Sequence, residues 1–230
     1  MAISQSINLL NVYIAPSTSF ANTEKLKSAT WLSLLTIIGL VFLANTTFFA
    51  DMTPEWIVEQ QMLQMTDLTD GERQQIATYM LESAGYTGMI SAIISTVMLV
   101  ISVLVTSAYF MFIGRREQSL RFKEWFALSV KMQLPIAINL LAFLFILLST
   151  GHPEQPISLL NFASVNQLFV GLQPGHAYYT FAESINVFYL WSILIGAYGL
   201  HALLGKTMRR SVLIVSVPYL LFFAIWGLSI

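Results

Sequence analysis

The 230-residue chain contains no cysteine. Disulfides, thiolate zinc sites, thiol nucleophiles and cysteine lipidation are therefore excluded. Charge is scarce too: Asp, Glu, Lys and Arg make up 10% of the sequence, where a soluble domain carries about a quarter. With a mean hydropathy of +0.70, a chain this size cannot hide its apolar side chains in one water-soluble core, and lipid must cover them. Catalytic signatures are missing as well. There is no His-Glu-x-x-His zinc helix and no Gly-x-Ser-x-Gly elbow. The apolar runs contain no pair of carboxylates, and Gly205-Lys206-Thr207 lacks the earlier glycine of a phosphate loop. No enzymatic activity, cofactor, metal or nucleic-acid partner is expected.

Long apolar runs are what the sequence does contain. Trp31–Ala50, Thr87–Ile113, Trp125–Leu148, Ile185–Leu204 and Ser211–Ile230 each meet the requirement of roughly 20 apolar residues for a membrane helix. The expected fold is an all-α, polytopic bundle of five transmembrane helices in one domain. A secretory signal is not expected, because the first basic residues, Lys25 and Lys27, come late and Phe48 stands where a cleavage site needs a small residue. Ahead of the first span, within residues 1–28, Ile3, Ile7, Leu10 and Ile14 fall on one helical stripe that Ala15-Pro16 ends. This reads as a helix either in the interface or docked on neighbouring protein.

Basic residues set the orientation. Lys25 and Lys27 precede the first span; Arg115, Arg116, Arg121 and Lys123 join the second to the third; Lys206, Arg209 and Arg210 join the fourth to the fifth. Only Arg73 lies in the alternate loops, which hold Asp51, Glu55, Glu59, Asp67, Asp70, Glu72, Glu82, Glu154 and Glu183. The N-terminus is expected in the cytoplasm and the C-terminus outside. The outer loops, 51–86 and 149–184, should carry short amphipathic helices. Thr53-Pro54 suits an N-cap and first helical position, and Thr69 with Glu72 has capping-box spacing. Phe162, Val165 and Phe169 suggest a further helix, and Tyr178, Tyr179 and Phe181 an interfacial aromatic belt.

The terminal hairpin resembles a known family. Asn186-Val-Phe-Tyr-Leu-Trp191, the Gly196–Gly199 region, the turn Gly205–Arg210, and Ser211-Val-Leu-Ile-Val through Pro218-Tyr219 look like the last two helices of Yip-type membrane proteins. In eukaryotes these interact with Ypt/Rab GTPases, and bacteria carry shorter relatives. Pro16-Ser-Thr-Ser-Phe20 and the acidic first outer loop are similar to the short bacterial branch. The resemblance implies a five-helix bundle with a cytoplasmic N-terminus in a bacterial inner membrane. Its partners would be membrane lipids, a protein or a second copy of the chain. Rab binding is not carried over, since the long cytosolic region of the eukaryotic members is lacking.

Polar groups within the spans are the remaining candidates, because such groups are costly in hydrocarbon and usually have partners. Lys131, Pro135 and Asn139 form a stripe at i, i+4 and i+8, where an ammonium, an amide and a carbonyl freed by the proline could bind a lipid phosphate or polar solute. The ordinary alternative is that Lys131 snorkels to the interface. A transporter or channel lined by Lys131, Gln133, Asn139 and Asn186 is the rival function. His201 reads as a helix-end, interfacial residue bonded to headgroups or backbone, with a pH-sensing or ligand role as the alternative. His152, His176, Glu154 and Glu183 match no common metal-site spacing; Glu183 and His176 are the only candidates for interfacial catalysis. Gly88, Ala92 and Ser95, and Ser192, Gly196 and Gly199, form small-residue stripes expected to be packing seams. The basic inner loops form a collar that can meet anionic headgroups.

Overall fold

The computed structural model describes residues 9–65, 68–115 and 120–230. Ile3, Ile7, Asp67 and Arg116 lie outside the described residues. The fold is all-α, and four helical stretches are long and apolar enough to cross a membrane: Thr23–Ala50, Asp70–Gly114, Phe122–Thr150 and Met208–Leu228. The remaining expected span, the fourth, is shorter than its apolar run. Its helix starts at Phe188 and has 17 residues, because residues 185–187 are drawn into extended pairing described below.

The helices are α1 (Pro16–Ser19), α2 (Thr23–Lys27), α3 (Thr30–Ala50), α4 (Pro54–Met62), α5 (Asp70–Ser83), α6 (Thr87–Gly114), α7 (Phe122–Met132), α8 (Leu134–Thr150), α9 (Tyr179–Ser184), α10 (Phe188–Leu204) and α11 (Met208–Leu228). Residues 9–14 are also helical. The chain forms two compact units, the first from Met1–Gly39, Val97–Ile138 and Phe188–Leu228, the second from Leu40–Thr96, Asn139–Val187 and Ser229–Ile230.

In the first unit α10 packs on α1, α7 and α11, and α2 packs on α7. Leu34, Val103 and Val130 form a buried cluster with Ile38 and Phe126 against it. The interval between α7 and α8 is a break. Gln133 closes α7, donating its backbone N–H to the Val130 carbonyl, and Pro135 falls in the first turn of α8, where a missing N–H costs nothing. The N-terminal stripe is not the docked face. Val12 is fully buried, whereas Leu10 and Ile14 are 57% and 80% exposed.

In the second unit Ala44, Phe48, Phe49, Met52, Ile57, Phe143 and Leu144 form the core. Both expected outer helices form with the expected starts. The Thr53 side chain accepts from Trp56 N–H at the head of α4. Thr69 and Glu72 make a reciprocal capping box on α5. Trp56 Nε1 donates to the Gln155 carbonyl at 3.2 Å, and Thr53 Oγ1 to Glu154 Oε1 at 2.7 Å, which stitches α4 to the second outer loop.

The helix expected through Phe162, Val165 and Phe169 does not form. Val165 N–H donates to the Ile185 carbonyl at 2.7 Å and Val187 N–H to the Ala163 carbonyl at 3.0 Å, an antiparallel bridge between Ser164 and Asn186. That pairing interrupts the helix at 163–164, while Val165 keeps helical geometry at the head of the next turn. The bridge leaves a 3₁₀ turn at Ile157–Asn161 and a π-helical turn at Asn166–Val170. Gly171, at φ +72°, terminates the π turn, a conformation that costs a residue with a Cβ about 1–2 kcal/mol.

Candidate functional site

Three charged side chains are buried, Lys131 and Glu124 in the first unit and Glu183 in the second. Lys131 is 1% exposed on α7. Its ammonium donates to the Lys25 carbonyl at 2.9 Å and lies 5.8 Å from the Phe20 ring centroid. The arrangement has a local cause: Asn22 caps α2 by accepting from Lys25 N–H, while Phe20 and Leu26 are buried beside it. Backbone from the N-terminal segment comes to it.

The same segment is held twice more. Tyr13 Oη donates to the Leu134 carbonyl at 2.7 Å, and burial pushes its hydroxyl up to about 12. Lys27 pairs with Glu124 at 3.4 Å.

Glu183 is the buried charge of the second unit, 5% exposed near the end of α9. Its Oε1 accepts from Asn166 Nδ2 at 2.8 Å and also from Gln167 Nε2. Both amides come from the π-helical turn, and such turns recur at functional sites. Asn166 is itself fixed, donating to the Leu172 carbonyl and accepting from Leu172 N–H. Glu183 Oε2 has no hydrogen-bond partner among the described residues. Asn166 and Gln167 line a pocket of about 360 Å³, together with Gln60, Gln64, Gln173 and Tyr179 among others. Tyr179 lies one turn before Glu183. Its hydroxyl is held above the usual range by burial first and by the Glu183 carboxylate second. It is buried while Tyr178 is exposed, so Tyr179 belongs to this site and not to an aromatic belt.

The expected polar lining is dispersed. Lys131 and Gln133 are buried in the first unit. Asn139 belongs to the second unit, half-buried, with its Oδ1 lacking a partner among the described residues. Asn186 precedes α10 in the bridge to Ser164 and not within a span. None of the four lines the pocket beside Glu183, or the second pocket of about 270 Å³ beneath Phe49, Ile57 and Gly88.

His201 is exposed, and its Nδ1 bonds the Lys206 carbonyl across the turn after α10. His176 bonds within its own turn through Tyr178 N–H, and Glu154 is engaged by Thr53. Among the described residues no three His, Asp or Glu side chains gather as a metal site, and His176 forms no ion pair with Glu183.

Gly196 and Gly199 are places of close helix approach. A Cβ at Gly196 would lie 2.7 Å from Met132 Sδ and 2.9 Å from Val215 Cγ1, and one at Gly199 would overlap the Leu128 side chain. Ser192 is fully buried on the same helix. Gly88 meets the Asn45 carbonyl in the same way, at 3.2 Å from a built Cβ, and Ala92 is fully buried. Ser95 departs from its stripe and is exposed. At about 100° per residue it falls about 60° to one side of Ala92, whereas the buried arc continues through Leu99 and Val103. Of the basic collar, Arg115, Arg121, Lys123, Arg209 and Arg210 are exposed and Lys206 is half-buried, all in the first unit. Arg115 stacks over Phe112 at 4.2 Å.

Sequence patterns missed the Glu183 clasp and the Lys27–Glu124 pair. The clasp joins residues 16 and 17 positions apart across irregular backbone, where no periodicity marks it.

Comparison with known proteins agrees with the helical architecture. The family described as "Yip1 domain" matches residues 10–229. No curated protein and no solved structure matches.

Proposed function

The chain belongs to the Yip1 domain family, and from that membership we propose that it acts in a bacterial inner membrane by binding lipids or protein partners, without catalysis. The observation that carries this reading is its apolar surface. Along α6, Met89, Ile90, Ile93, Ile94, Val97, Met98 and Ile101 are exposed, and along α11 so are Leu213, Leu220, Leu221, Phe222 and Ile225. Continuous faces of this kind are at home against acyl chains or other transmembrane helices. Membrane organisation is the process they suit.

Five crossings, with the N-terminus in the cytoplasm, are part of the proposal. The 17 residues of α10 rise about 26 Å, and extended residues 185–187 add about 10 Å, enough for a hydrocarbon core of about 30 Å. Non-helical backbone at such a level needs its hydrogen bonds met by protein. The bridge to 163–165 supplies them. The exposed Leu10 and Ile14 suit an N-terminal helix lying in the interface.

Extraction into native-lipid discs, followed by mass spectrometry, tests the binding reading. A stoichiometric protein partner, an oligomer or an enriched lipid class is expected. A bare monomer whose deletion leaves the envelope unchanged would defeat it. Reporter fusions in 114–121 and 205–210 should report the cytoplasm, and fusions in 51–86 the opposite side.

A further inference from the structure

We infer that the pocket beside Glu183 is a binding site for a primary ammonium group, carried by a small free amine or by an aminolipid headgroup. The inference goes beyond the scaffold reading, and its test is read separately from copy number and partners.

Glu183 is a carboxylate removed from water with half its acceptor capacity unused. Oε1 takes two amide donors, while Oε2 has none among the described residues. Burying an ionised carboxylate is unfavourable unless its charge is compensated. Among the described residues no cationic side chain pairs with Glu183. The second unit contains a single Lys or Arg, Arg73, which reaches the Met65 carbonyl instead. The same unit also carries Asp51, Glu55, Glu59, Asp70, Glu72, Glu82 and Glu154, a net negative balance that favours small cations.

The donor set selects among cations. Divalent metals take several oxygen ligands, generally with more than one carboxylate, and the site offers one carboxylate. A guanidinium prefers two open carboxylate oxygens in a fork, and Oε1 is already occupied. An ammonium needs one charged acceptor and a few neutral ones for its remaining N–H bonds. Oε2 is the charged acceptor. Gln64, Gln173 and Tyr179, whose side chains carry neutral acceptors, line the adjoining pocket, while the Gln60 amide oxygen already accepts from Ile157 N–H. Glu183 stands behind the pocket wall: Gln167 is exposed, lines the pocket and donates to Oε1, and the ammonium must displace this side chain to reach the carboxylate.

The test titrates the full chain, held in phosphatidylcholine nanodiscs, with ethanolamine, choline and ethylene glycol by calorimetry. A parallel arm counts lipids retained from phosphatidylethanolamine against phosphatidylcholine by native mass spectrometry. Selective binding of ethanolamine, or selective retention of phosphatidylethanolamine, is expected, and the arm that responds identifies the source. Glu183→Gln keeps the shape and an acceptor for Asn166 while removing the charge, and should weaken binding on the order of thirtyfold or more. Gln64→Ala, which leaves the clasp untouched, should weaken it about fivefold, and it serves as the readout if Glu183→Gln fails to fold. Equal binding of choline or ethylene glycol, undiminished binding in either folded variant, or no selectivity in both arms would overturn the inference.

Discussion

Two glycine-to-alanine substitutions, chemically identical, should move stability in opposite directions. Gly39 is exposed on α3, with nothing within 4 Å of where a Cβ would stand. Gly199 on α10 faces the fully buried Leu128, whose side chain a Cβ would overlap. In a helix interior alanine is favoured over glycine by up to about 1 kcal/mol, and by less where the unfolded chain stays helical in lipid. Gly39→Ala should therefore be neutral or stabilising by up to about 1 kcal/mol. Gly199→Ala gains the same propensity term but forces Leu128 from its place, and overpacking costs about 1–3 kcal/mol. The net is a loss of about 1–2 kcal/mol. Denaturant titration in mixed micelles, followed by tryptophan fluorescence, measures both. A cycle with Leu128→Ala isolates the cause: the double variant should be less damaged than the sum of its singles by about 1–2 kcal/mol. If Gly199→Ala proves as stable as Gly39→Ala, or the cycle closes additively, the close approach of α7 and α10 is wrong.

Three further outcomes are expected. Ala29, between α2 and α3, sits at φ +60°, so Ala29→Gly should stabilise the protein by about 1 kcal/mol in the same titration. Lys131→Met removes the donor to the Lys25 carbonyl. It should raise amide exchange across residues 22–28 selectively, by an amount equivalent to about 1–3 kcal/mol, while α11 is unaffected. The Thr69 hydroxyl and backbone N–H hold the Glu72 carboxyl below its ordinary value. A depressed carboxylate stabilises above the unfolded pKa, and the benefit is lost as pH falls through the folded one. Helix α5 should thus loosen only in acid below the ordinary carboxylate range. Thr69→Ala should move the Glu72 carboxyl titration upward by NMR.

The features legible in the sequence are those whose cause is local. Thr53-Pro54 and the Thr69–Glu72 pair specify helix starts from residues within one turn, and apolar runs of about 20 residues declare themselves by length. Features that depend on distant chain were not legible. Pro135 signalled an irregularity, yet whether α7 and α8 form a bent helix or two helices depends on how Gln133 closes the turn. The Phe162–Phe169 pattern is helical by spacing and loses to a backbone bridge with 185–187. Lys131 reaches a carbonyl 106 positions away. Its own helix says nothing of that partner, which the capped turn at Asn22 supplies.

The contrast between Lys131 and Glu183, two of the three buried charges, separates structure from function. Lys131 is met by a backbone carbonyl and an aromatic face contributed by the segment next to it. That segment is also held by Tyr13 and Lys27, so the cation works as a fastener whose partner is always present. Glu183 has equally rigid support, since Asn166 is bonded on both sides of its amide, but the support stops at one oxygen. A purely structural carboxylate at this position would be replaceable by glutamine, which could bond the same amides without the desolvated charge. Retaining the charge beside an amide-lined pocket, in a unit whose single Lys or Arg is engaged elsewhere, makes sense if the compensating cation arrives from outside. Glu183 is therefore the stronger functional lead of the two, and Lys131 explains how the N-terminal segment stays in place.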